Sequence, residues 1–293
     1  KAAAGVYAHA GGGRLEVSRG DGQLAGYLEA TPDGSDLAMS RSGSETAATR
    51  FRVRRDRSEA ILAHAEANSV LVFGATTQGA AVTVLGNDDK EIAYLGGDAK
   101  KAGMLRLRDA AGASMVETGT GEHGGELMVR SSGGKPAAVL GTGDQGGFVE
   151  SHGKDGQVAS RLTSGERGGA VEALNAEGKT VASIAVQDNN GGRVSAFTST
   201  GQIVAFMDQG KDESGTLQLY AGPNRVAAIG GSATGGLMNL FNMKGKAVFI
   251  AGAAADGPGG ALSLQADDGT RTIRARAEPV PEISATTAED RKS

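Results

Sequence analysis

Gly168-Gly-Ala-Val-Glu-Ala-Leu-Asn-Ala-Glu-Gly178-Lys-Thr-Val-Ala-Ser-Ile184 is the stretch from which the fold is read. Val171 and Ala173 flank Glu172, so apolar and polar residues alternate with period two. That is the pattern of a strand with one buried face; a helix needs period 3.6. Leu174 to Lys179 then predicts a type I turn closed by Gly178 at positive φ. A second apolar stretch, Val181-Ala-Ser-Ile184, predicts a second strand. The unit reads as strand, tight turn, strand, followed by a polar loop.

The same unit recurs along the chain. Its opening Gly-Gly is found again at Gly124/Gly125, Gly146/Gly147, Gly191/Gly192, Gly235/Gly236 and Gly259/Gly260, with Ser214/Gly215 in the same phase. Steps from Gly124 onward are 22, 22, 23, 23, 21 and 24 residues. Running backwards gives Ala102/Gly103, Gly79/Ala80, Arg57/Ser58, Gly34/Ser35 and Gly12/Gly13, twelve marks in all. Apolar residues follow two and four positions after each mark, as at Leu15/Val17, Leu127/Val129 and Leu217/Leu219. One such unit cannot bury its own face, so neighbours must stack.

Composition agrees. The 293 residues include 48 Gly, no Cys and no Trp, and only 4% are aromatic. Glycine is thus about 16% of the chain, against a usual ~7%. A core filled with bulky side chains is excluded; what is buried must be thin and built from Val, Leu, Ala and Gly. The lack of Cys excludes disulfide scaffolds, thiolate metal sites and cysteine nucleophiles. A net charge of −4 argues against general nucleic-acid binding, and no apolar run approaches a membrane span.

The expected fold is therefore all-β: an elongated repeat protein of about twelve ~22-residue units with two short strands each, a β-solenoid or a trimeric β-fibre. A parallel solenoid with one coil per repeat is the simplest stacking, and the glycine-closed turns also suit antiparallel hairpins. Residues 1–11 read as an N-terminal extension, 12–275 as the repeat rod, and 276–293 as a Pro-containing tail. The chain opens on Lys1 rather than Met, which reads as a processed or partial chain and is compatible with secretion.

The pattern carried by Pro136-Ala-Ala-Val-Leu-Gly141 through Gly146-Gly147 to Gly156-Gln157 resembles the glycine-rich β-repeats of bacterial and phage extracellular fibres. Among these are triple-stranded β-helices of tail fibres and β-solenoid surface filaments. The resemblance covers about residues 12–275. It implies a structural, often trimeric or polymeric role on a cell or virion surface, and it brings no catalytic residues.

Residues that depart from the repeat are the candidates for contacts. Arg50-Phe-Arg-Val-Arg54 alternates basic and apolar residues, placing Arg50, Arg52 and Arg54 on one strand face as a solvated face or a subunit contact. The tail residues Pro279, Pro281 and Ile283 are expected in a subunit-joining strap. His9, His64, His123 and His152 fall at different phases and read as surface histidines. Glu122, Asp144 and Glu166 each precede a Gly-Gly by two; with one coil per repeat they stack and repel, with His123 and Arg167 as relief. Calcium there is the less favoured reading, because tandem calcium-binding nonapeptides are missing. Arg19-Gly20-Asp21 matches a cell-adhesion tripeptide but reads as chance, and Gly230–Gly236 lacks the lysine of a phosphate loop.

Taken with the repeat, the resemblance implies the expected function: a structural, non-enzymatic subunit of an extracellular filament or fibre, without cofactor or metal, whose partner is itself. The alternative is a fibre shaft or binding module that recognises glycans, with surface polysaccharide as partner. That reading asks for aromatic clusters on one face, whereas Tyr7, Tyr27, Tyr94 and Tyr220 are scattered in sequence. A polysaccharide-active β-helix enzyme needs loop insertions that build a cleft, and the repeats vary by only a residue or two.

Overall fold

The computed structural model describes residues 3–40, 47–64, 69–77, 79–97, 102–209, 214–232, 235–253, 259–266 and 271–277. Every regular element among them is a strand, and no helix able to cross a membrane is present among them. The chain divides into two units, residues 1–158 and 159–293.

The first unit holds β1 (Ala3–His9), β2 (Gly12–Ser18), β3 (Leu24–Thr31), β4 (Gly34–Ser40), β5 (Ala47–Arg54), β6 (Arg57–His64) and β7 (Ser69–Thr76). It continues with β8 (Gly79–Leu85), β9 (Glu91–Gly97), β10 (Gly103–Arg108), β11 (Ser114–Thr120), β12 (Gly125–Arg130), β13 (Pro136–Gly143) and β14 (Gly146–His152). β15 (Val158–Gly165) begins at the junction. The second unit then carries β16 (Gly168–Leu174), β17 (Thr180–Val186), β18 (Gly192–Phe197), β19 (Ile203–Gln209) and β20 (Gly215–Ala221). It ends with β21 (Asn224–Ser232), β22 (Gly235–Phe241), β23 (Ala247–Ala253), β24 (Gly260–Gln265) and β25 (Arg271–Arg276).

Within each unit, consecutive strands pair antiparallel, β1 with β2 through to β13 with β14, and β15 with β16 through to β24 with β25. The chain path is therefore the hairpin alternative and not one parallel coil per repeat. Each repeat advances two strand spacings, about 9.6 Å. All twelve marks open an even-numbered strand, at its first residue or one before. Residues 3–9, read as an extension, form β1 against β2.

Two kinds of turn recur among the described residues. At Asn175–Lys179, Gly178 donates to the Asn175 carbonyl at 3.0 Å and Asn175 donates to that of Lys179 at 2.9 Å, with Gly178 at φ 76°. The expected type I turn closed by a left-handed glycine is thus formed, and the register slips between Ala173 and Leu174, as in a three-residue hairpin loop with a bulge. At the opposite strand ends, tighter turns such as 31–34 and 143–146 deliver the first mark glycine, whereas β17–β18 uses the wider form, with Gln187 donating to the Gly191 carbonyl at 2.8 Å. Gly34 has φ 147°, and a Cβ there would lie 1.9 Å from the Val53 carbonyl oxygen. Only glycine fits that corner.

Candidate functional surface

Antiparallel pairing turns the alternation of each strand into two unlike faces. On one face of the first unit, Leu15 stands opposite Leu28, Leu28 opposite Leu37, and Leu37 opposite Phe51. The row continues through Ala60, Phe73, Val82 and Leu95. In the second unit the same row runs Leu162, Val171, Ile184, Val194, Met207, Leu217, Ile229 and Met238. Flanking rows contain further apolar residues such as Val17, Leu62 and Leu219.

The expectation that these residues are buried is corrected by the structure. Leu95 is 57% exposed, Leu140 52%, Leu162 50% and Ile184 56%. Among the described residues, the exposed large apolar side chains of the strands lie on this face, with Tyr7, Ile92 and Leu237 as exceptions. Each unit is a single layer, so no second sheet of its own covers the row. Apart from glycines, the buried residues among those described, Asp36, Ala38, Val139 and Ser195, all belong to the other face. That face is screened by its own long side chains, which lie across the strands.

This second face is mixed and internally paired. Asp36 is its most constrained carboxylate: 3% exposed, it meets Arg50 Nε at 3.0 Å, Arg52 Nε at 3.5 Å and Arg54 Nη2 at 3.8 Å. The three arginines do share one strand face, and they converge on a carboxylate of the neighbouring strand. Arg50 also donates to the Tyr27 hydroxyl at 2.8 Å, and Arg52 to Glu59 at 2.6 Å. Burial lowers the Arg50 pKa, but the bonds to Tyr27 and Asp36 outweigh it and leave the group above its ordinary value. Glu91 meets Arg106 at 3.3 Å and Arg108 at 2.9 Å in the same manner. In the second unit, Asp208 accepts from Thr216, from Arg193 at 2.8 Å and from Gln187 at 3.5 Å. Burial pushes its carboxyl up, and those hydrogen bonds overcome that and hold it below the usual value.

All four tyrosines stand on the mixed faces of their units, a clustering that spacing alone hides. Three of the rings are already engaged: Arg14 lies 4.2 Å from the Tyr27 ring centre and Arg106 5.4 Å from that of Tyr94. Tyr220 stacks on Phe206 at 5.8 Å, with the Arg193 guanidinium 4.6 Å from the Phe206 ring centre.

The remaining candidates resolve as local structure. Arg19-Gly20-Asp21 is the β2–β3 turn, where the Asp21 carboxylate accepts from the Gln23 amide at 3.0 Å and Arg19 donates to the Ser40 carbonyl. His123, 40% exposed, reaches Asp144 in the next tight turn at 2.8 Å. Glu122 and Asp144 sit two strand spacings apart in the meander, so the close stacking of acids expected for a coil does not arise. Arg167 pairs with Asp188 in the second unit. Among the described residues, no three His, Asp or Glu are grouped to hold a metal. His152 departs from the surface reading: its side chain is 8% exposed, with Nδ1 3.1 Å from the Gly156 carbonyl and Nε2 3.4 Å from Glu150. It closes the G1-type turn after β14, a role visible only once the turn is placed. His9 and His64 fall in β1 and β6. Gly230 and Gly231 lie in β21 and Gly235 and Gly236 in β22, so that glycine run is a hairpin. Pro279, Pro281 and Ile283 lie outside the described residues.

No protein-family model matches the chain, and no curated protein matches its sequence.

Proposed function

We propose that the chain is a structural subunit of an extracellular filament or fibre, and that its copies assemble over the apolar face, three chains sharing one core. The observation that supports this is the uncovered apolar row of each single-layer unit. Taking roughly 75 Å² for a half-exposed Leu or Val, the first unit alone offers on the order of 1,000 Å² of apolar surface. A stable interface needs about 800 Å² per partner, so a copy that stayed alone would expose more than an interface's worth. The extracellular placement rests on the resemblance of the repeat to bacterial and phage fibres.

The count of three comes from how bulk is distributed along the strands. A paired stretch of five residues spans ~17 Å, and three sheets of that width closed into a prism have an inscribed radius of about 5 Å. That is half the ~10 Å at which facing sheets pack, so mid-strand side chains just reach the axis. Room falls away towards the corners, whereas a two-sheet sandwich leaves the same gap everywhere. Bulk in the first unit follows the prism. The middle row is Leu, Val and Phe except at Ala60 and Thr118, and on the corner side of the even strands stand Gly13, Ser35, Ser58, Ala80, Gly125 and Gly147. On the other side, Gly26, Thr49, Ala93 and Ala138 stand between larger residues such as Val17 and Met39, while Leu71 and Val116 fill the same row at β7 and β11.

Sedimentation equilibrium with cryo-electron microscopy tests the reading. The wild-type chain is expected to form trimers or filaments built from them. Leu140→Lys with Ile184→Lys is expected to weaken association by at least about tenfold per site while the β-sheet circular dichroism persists. A wild-type chain that stays monomeric at micromolar concentration refutes it.

A further inference from the structure

A chain of near-identical repeats has a register problem: sliding one copy past another by a whole repeat restores nearly the same apolar pattern. A unique alignment needs a mark that does not recur. From Leu15 to Leu105 the middle row is Leu or Val except at one place, Phe51–Ala60–Phe73, where Ala60 stands directly opposite both phenylalanines. Phe51 and Phe73 are two strand spacings apart, about 9.6 Å, with the smallest side chain of the row between them. The surface dips there into an open apolar groove of about 630 Å³, lined by Phe51, Val53, Ala60, Phe73, Val82 and Leu95.

We infer that this notch is the register key of the assembly, aligning neighbouring copies in parallel with identical residues at the same level. The inference rests on the proposal that copies meet over the apolar face. Its occupants are the phenylalanine rings of the other copies together with the chain's own. Brought level, the Ala60 positions of all copies share one gap, bracketed above and below by the Phe51 and Phe73 rings that lean into it. Displaced by one repeat, Ala60 faces Leu37 or Val82 and a ring from each copy faces Leu28 or Leu95, so the rings no longer bracket a common space. An antiparallel arrangement is excluded for three copies, which cannot all run opposite to one another. For a pair flipped about β6, Leu127, Leu140 and Val149 of the first unit would be left without a partner.

The test uses Phe51→Leu/Ala60→Leu/Phe73→Leu, which erases the mark while nearly conserving summed volume, so folding and assembly are kept. Because the chain has no cysteine, single nitroxides at Asp33→Cys and Gln145→Cys, both in exposed tight turns, report copy-to-copy distances by electron paramagnetic resonance. In the otherwise native chain, each position is expected to give a single short distance, the same at both. In the triple-leucine variant a second, longer population is expected with the assembly state unchanged, its axial offset of ~9.6 Å adding in quadrature to the lateral distance. A monomeric native chain overturns the assembly reading and this inference with it. An assembly with one short and one long distance, or a triple variant whose distances stay single, overturns the inference alone.

Discussion

Replacing Asp36 by Asn tests whether the mixed face is held by its ion pairs. The carboxylate is 3% exposed and has three guanidinium nitrogens within 4 Å, at 3.0, 3.5 and 3.8 Å. Removing one partner of a buried pair costs about 3–5 kcal/mol, chiefly because the other charge is stranded. Here the stranded arginines are 33%, 19% and 26% exposed, so solvent recovers part of that. Arg52 also retains Glu59. A cost of about 2–3 kcal/mol remains, and it falls locally on the β4–β5 ladder. Amide hydrogen exchange is the suitable assay, because a repeat meander need not unfold in one step. Amides of β4 and β5 are expected to exchange about 30- to 150-fold faster in the Asp36→Asn protein, with distant strands unchanged. Glu117→Gln is the comparison: its partner Arg130 lies 3.6 Å away and both side chains are about a third exposed, so less than about 0.5 kcal/mol is at stake. If the two variants accelerate exchange equally, the burial argument for Asp36 is wrong.

Glycines at the two positions of the mark should respond differently. Gly34→Ala, whose Cβ would meet the Val53 carbonyl at 1.9 Å, is expected to cost about 2 kcal/mol or more, while Gly125→Ala, with open space around it, stays within about 0.5 kcal/mol; thermal melts of both separate the cases. Asp208, held below its ordinary pKa, contributes stability that is fully present above the unfolded value of about 3.9 and is lost as pH falls through the lower native value. Melting curves between pH 5 and pH 2.5 should therefore fall less steeply for Asp208→Asn than for the wild type, and parallel curves would contradict this. Asn175→Ala removes an acceptor for the Glu177 and Lys179 amides, at 3.1 and 2.9 Å, and should lower stability by about 1 kcal/mol in urea titration.

Strand positions were legible because they rest on local chemistry. Eight of the twelve marks place a positive-φ glycine at a corner such as Gly34, and most of the wider turns close on a glycine such as Gly178, so both leave a residue signature. Chain path was not legible in the same way. A hairpin and a coil place the same alternation on each strand, and they differ only in which strand lies alongside. Burial failed for a related reason. Alternation tells that Leu140 and Val139 point to opposite sides, but Val139 is the buried one, at 7%, and Leu140 the exposed one. The sign of that difference depends on what covers each face, and the long arginine and glutamate side chains cover the mixed one. Asp36 was missed because its partners lie 14 to 18 residues ahead on the next strand, beyond any local motif.

For the proposed assembly, the choice of face rests on magnitudes. Closing copies over the mixed face would take Arg14, Glu16, Glu29 and the Asp36 cluster out of water, and each ion costs several kcal/mol to desolvate even when paired. Those groups already have partners within the chain, so an incoming copy has no unmet charge to satisfy in return. Closing over the apolar face removes surface at about 25 cal/mol per Å², so 1,000 Å² is worth on the order of 25 kcal/mol before the entropy of association. No paired charge is disturbed. A fibre built this way turns its ion pairs outward, which makes a specific demand on experiment. Raising salt screens the exposed pairs of the mixed face, yet it should leave association intact or strengthen it, because the interface contains no charge to screen. Assembly that dissolves on going from low to high salt would place the contacts on the mixed face and reverse the assignment.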